Sequence, residues 1–176
     1  MHINHKQRRC PRLKGISFIG YTHYWDINRK KVTPEQFYKA VEEIKKIHTN
    51  LPKRTTTAGG SYPKHLVKIM GGLGNGEPVF NETRIWFNGY RKNGTDHETM
   101  MIDLKQDDAW DFCKTARKPY DLLVCCTLIA LANNLPPDSF SFNSDGDAAD
   151  WQPALDLYTK IIGEPQAHVL NRIKEL

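Results

Sequence analysis

The segment from Pro119 to Leu135 (PYDLLVCCTLIALANNL) constrains this chain more than any other. It is apolar on nearly every side of a helix, and such an element must be buried all round. Its apolar part, Leu122 to Leu135, is shorter than the ~18 residues that span a bilayer. The pattern therefore predicts a buried helix at the centre of a globular core, with no membrane partner. Pro136-Pro137 stops it, because proline cannot continue a helix.

The other elements follow the order β, α, β, β-hairpin, α, β, α. Gly15 to Trp25 (GISFIGYTHYW) is rich in aromatic and β-branched residues and reads as a strand. Asp26 to Lys31 reads as a polar turn. Thr33-Pro34-Glu35-Gln36 has the form of a capping box with proline at the first helical position. Phe37, Val41, Ile44 and Ile47 follow at helical spacing, which predicts an amphipathic helix from Pro34 to His48. Leu66–Met70, Arg84–Asn88, Glu98–Leu104 and Phe140–Asn143 read as strands. Asn93-Gly94 predicts an antiparallel hairpin between the second and third of these. Asp150 can cap a helix from Trp151 to Ile162 that Gly163 ends. A further short helix is expected after Pro165.

Strands and helices do not alternate strictly, so the expected class is α+β. The expectation is a single domain over residues 15–176, one antiparallel sheet packed by the long buried helix and two amphipathic helices. With 176 residues there is room for one such core. A composition 39% hydrophobic and 26% charged excludes a disordered or fibrous chain. Residues 1–14 carry five Lys/Arg and no acid, and read as a flexible basic arm. No apolar stretch follows that arm in the manner of a secretory signal. Cys10, Cys113, Cys125 and Cys126 form no C-x-x-C pair, and adjacent cysteines rarely meet disulfide geometry. They read as reduced, which implies a cytoplasmic protein.

Charge is unevenly spread. Residues 1–70 carry 15 Lys/Arg against 4 Asp/Glu, and residues 71–176 carry 10 against 16. Within that acidic half, Cys113 to Asp121 holds Lys114, Thr115, Arg117, Lys118 and Tyr120 just before the buried helix. Arg grips phosphate bidentately, Lys adds point charge, and a helix N-terminus offers backbone N–H groups. The segment thus reads as an anion site, or as a capping loop whose cations pair with Asp107, Asp108 and Asp111. His97, entering a strand within Asp96-His97-Glu98-Thr99, is the candidate acid/base, or is merely an exposed strand residue. Asp145 and Asp147 could hold Mg²⁺ if the fold brings Asp103 or Asp121 to them, although a plain D-G-D turn also explains them. Gly71 to Gly76 matches no phosphate-loop motif and reads as a flexible loop. Alternation puts Tyr21, His23 and Trp25 on one strand face, where Trp25 either stacks a base or packs in the core.

His97-Glu98-Thr99, then Phe112 to Asp121 (FCKTARKPYD), then Ser144-Asp145-Gly146 with Trp151, together resemble a family of uncharacterised small proteins from bacteria and their phages. The resemblance covers most of residues 20–163 and carries no activity. It implies that the three polar segments belong to one site. Three functions are open. The first is binding of a phosphorylated, nucleotide-like ligand by Lys114, Thr115, Arg117 and Lys118, with Tyr120 or Trp25 stacking a base and His97 adding a hydrogen bond. In a phage, such a protein would sequester a nucleotide. The second is a metal-dependent phosphoester hydrolase at the same place. The third is nucleic-acid binding through the basic front half. A homo-oligomer, joined through the oppositely charged halves, is compatible with each.

Overall fold

The computed structural model describes residues 20–55, 65–106 and 110–176. In chain order the elements are β1 (Thr22–Ile27), α1 (Pro34–Thr49), β2 (Arg54–Thr55), β3 (His65–Leu66), β4 (Val79–Phe80) and β5 (Arg84–Phe87). They continue with β6 (Met100–Asp103), β7 (Trp110–Lys114), α2 (Asp121–Asn134), β8 (Phe140–Ser144), α3 (Ala148–Ile161) and α4 (Ala167–Lys174). The basic arm at residues 1–14, the first part of the expected strand at 15–19, and Asp107 and Asp108 lie outside the described residues.

The apolar segment after Pro119 is the buried helix its composition demands. Every residue of α2 from Asp121 to Ala132 is buried. Around it pack α1, α3, α4 and β8. α1 presents Phe37, Ala40, Val41, Ile44 and Ile47 to the core, and the Thr33–Gln36 capping box forms in both directions.

The fold is α+β, but the expected single sheet is two. β7-β1-β8 and β4-β5-β6 are separate three-stranded antiparallel sheets, with a small β2-β3 ladder beside them. β1 is the centre of the first sheet, paired with β7 on one side and β8 on the other. It runs through Asp26 to Ile27, which sequence reasoning assigned to a turn. Asp26 is the exposed member of an intact alternation and Ile27 is fully buried. β7 is a strand where a loop was expected. Its signal is inverted, because Phe112 points out while Cys113 points in.

The β5-β6 hairpin is present. Its connection is longer than a two-residue turn. Arg91–Asn93 form a 3₁₀ turn that Gly94 closes at φ 64°. α3 begins earlier than expected, with Asp147 as its N-cap and Asp150 three residues on completing the capping box. Among the described residues, no helix is long and apolar enough to cross a membrane. Cys113, Cys125 and Cys126 are buried free thiols.

Candidate functional site

Three distant residues meet beneath the first sheet. The β1 register sets His23 directly across from Ser144, the last residue of β8. The first turn of α2 brings Asp121 down on the other side of the imidazole. His23 Nε2 lies 2.7 Å from Asp121 Oδ1, and His23 Nδ1 lies 3.0 Å from Ser144 Oγ. An ionised Asp121 accepts, so Nε2 carries the proton and Nδ1 accepts from the serine hydroxyl. The Thr115 hydroxyl also donates to Asp121 Oδ1, at 2.5 Å, and the Cys125 thiol donates to Oδ2 at 3.8 Å. A carboxylate in the first turn of a helix further gains from the helix dipole. His23 and Asp121 are buried, while Ser144 is half-buried and reaches the surface.

Aromatic rings wall this relay. Tyr21 stands edge-on to His23 at 5.0 Å between centroids, and Trp151 does the same from below at 5.3 Å. The Tyr21 hydroxyl packs against Gly146, two residues past Ser144. Burial, then the neighbouring Cys125, Asp121 and Asp150, push the Tyr21 phenol up and keep it protonated. The Arg117 guanidinium covers the Tyr21 ring at 4.0 Å and grips Asp150 with two bonds, of 2.7 and 3.2 Å. Sequence reasoning paired Arg117 with an anion or with aspartates nearby in the chain. The structure pairs it with Asp150 at the start of α3.

Arg117 reaches Asp150 through an unusual backbone. Ala116 and Arg117 both take left-handed conformations, at φ 50° and 56°. Side chains adopt that region at a cost of roughly 1–2 kcal/mol per residue. The Thr115 and Ala116 amides both donate to the Tyr21 carbonyl, at 2.9 and 3.2 Å, and hold the turn in place.

A second cluster of groups gathers at the end of β7. Buried Asn88 accepts from the His97 amide at 3.1 Å and donates to the His97 carbonyl at 2.9 Å, so the hairpin connection is stapled in place. His97 is exposed and its Nδ1 donates to the Lys114 carbonyl at 2.8 Å. Lys118 donates to the Gly94 carbonyl. Glu98 accepts from the Lys114 amide at 2.7 Å, and Tyr120 donates to the Glu98 carbonyl at 2.6 Å. Of the three polar segments of the sequence, that of Ser144 therefore meets His23 and Tyr24, while those of His97 and of Lys114 to Tyr120 touch each other. Their basic side chains form a rim of His97, Lys114 and Lys118.

Other expected roles are corrected. Trp25, Thr115 and Tyr120 are buried, and none offers a face to a ligand. Asp147 caps α3, accepting from the amides of Ala149 and Asp150. Asp145 accepts from the Thr22 amide at 3.0 Å and the Tyr24 hydroxyl at 3.2 Å. Asp103 on β6 is engaged with Arg84 on β5. These carboxylates do not assemble into the magnesium set expected of them. Among the described residues, the three donors close enough for one metal ion are His23, Asp121 and Cys125. The relay was missed because no sequence motif joins its members; only the alternation along β1 pointed His23 inward. No protein-family model matches the chain, and no curated protein or solved structure is significantly similar to it.

Proposed function

We propose that the chain binds a nucleotide-like anionic ligand on the outer face of its first sheet. One observation carries the reading. Phe112 is 51% exposed on that face, and Lys114, two residues on, shares it. Tyr24 lies opposite Phe112 across the strand pair. A sheet face that offers an aromatic ring beside a lysine suits a base stacked on the ring and a phosphate at the ammonium. Lys114 leads to the rim with His97 and Lys118, and these basic groups favour a phosphate at that end. Asp26 lies at the far end of the face and disfavours it there, while Asp145, which accepts from Thr22 and Tyr24 across from Lys114 and Phe112, borders the same end from the β8 side. Phe112 thus takes the stacking role that the sequence suggested for Trp25 or Tyr120.

Titration calorimetry with a panel of nucleoside mono-, di- and triphosphates at low salt tests this. Phe112→Ala and Lys114→Ala are each expected to weaken binding about tenfold or more, since one stacked base contributes roughly 1–3 kcal/mol. Indifference to Phe112→Ala, or a panel with no binding at millimolar concentration, overturns the reading. Tight binding of an oligonucleotide alone, falling steeply with salt, would transfer the face to nucleic acid.

A further inference from the structure

We propose that Ser144 is an activated nucleophile, prepared by His23 and Asp121 for acyl transfer from a neutral or cationic carboxylic ester. A turn-capping serine needs only the bond it accepts from the Gly146 amide, at 2.9 Å. That bond does not account for a histidine held on Ser144 Oγ by one ring nitrogen and on a buried carboxylate by the other. The arrangement is the nucleophile–base–orienter constellation of serine hydrolases, which is recognised by geometry and roles. Here the serine faces Nδ1 and the carboxylate faces Nε2. The chemistry is unchanged, because either imidazole nitrogen is basic when the other N–H is donated to a carboxylate.

The step balances with the groups present and water. The Ser144 Oγ–H proton passes to His23 Nδ1 as Oγ bonds to the acyl carbon, and the carbonyl π pair moves to oxygen. The tetrahedral adduct collapses with loss of the alcohol, which takes its proton from Nδ1. Water then attacks the acyl-serine, giving its proton to Nδ1, and Ser144 leaves with that proton as the carboxylic acid departs. Asp121 stays ionised and holds the ring in the required tautomer. The Tyr21 hydroxyl, packed against Gly146 two residues past Ser144, is placed to turn onto the developing oxyanion. Asp145 and Asp147 follow Ser144 in sequence and are exposed. Their charge selects against an anionic acyl group and favours a neutral or cationic one.

The test is covalent labelling of the full chain with a fluorophosphonate, mapped by peptide mass spectrometry. Ser144 is expected to label at least about 100-fold faster than exposed Ser141 on the same strand, the range in which an oriented base acts. His23→Gln should remove that preference, and 4-nitrophenyl acetate turnover should vanish in Ser144→Ala, which should still fold cooperatively although at a lower melting temperature, since His23 Nδ1 and the Gly146 amide lose their partner. Equal labelling of Ser144 and Ser141 in the wild-type protein overturns the proposal without any variant. A preference that survives His23→Gln in a folded protein also overturns it. Nucleotide binding at Phe112 is expected to be indifferent to Ser144→Ala, so the two sites fail or stand separately.

Discussion

At Ala116 the chain holds an alanine where glycine would be more comfortable. Glycine enters the left-handed region freely but loses more freedom on folding, by roughly 0.5–1 kcal/mol. Ala116→Gly is therefore expected to stabilise the protein modestly, by about 0.5 kcal/mol, read as a rise of about 1–2 °C in melting temperature. Gly146 presents the opposite case. A Cβ there would fall 2.1 Å from the Tyr21 hydroxyl, which is walled in beside His23. Gly146→Ala should cost about 2 kcal/mol or more by calorimetry, and should displace the Tyr21 ring from beside His23. Neither consequence is legible in the sequence. His23, Asp121 and Ser144 each have a bland local explanation, as a strand residue, a first-turn acid and a turn serine. Only the pairing of strands about 120 residues apart turns them into one network.

At the scale of elements, local signals were strong where the physics is local. The Thr33 capping box marked the start of α1, and the apolar wheel marked α2. β7 escaped because its outward residue is phenylalanine, so the alternation of polar and apolar side chains is reversed. The start of α3 was misplaced because Asp147 and Asp150 both qualify as caps, and each serves in one box. Asp147→Ala is expected to cost about 1 kcal/mol in chemical unfolding, since two amides lose their acceptor. α1 also carries a pH signal. Burial holds the His48 imidazole below its ordinary range, with Glu77 opposing in part. The folded state thus binds fewer protons at this position than the unfolded chain. Its contribution is full above the unfolded value of ~6.5 and is lost progressively as pH falls from there through the lower folded value. His48→Gln should flatten the decline in unfolding free energy on the acid side of neutrality. If the wild-type and variant slopes coincide there, this account of His48 is wrong.

For the whole molecule, the class was legible and the division into two sheets was not. Class follows from the order of elements, while the number of sheets depends on which strands find each other across long separations. The charge split is real in the sequence, yet the cations gathered on the rim belong to the acidic half: Lys114 and Lys118. A small ligand there meets few charges, so its affinity should fall gently with salt, with a slope near one per phosphate contact. A slope of several units would instead report a long polyanion drawn to the basic half.

The position of β1 at the centre of its sheet also bears on synthesis. Both of its partner strands follow it by some 90 to 120 residues. A ribosome adding about 5–20 residues per second needs on the order of ten seconds to deliver them. For that interval Trp25 and Ile27 emerge before any strand that pairs with them, and the nascent chain must be shielded or kept from premature pairing. His23 likewise meets Ser144 only after some 120 further residues have been made, and no chain released before that point can carry the relay.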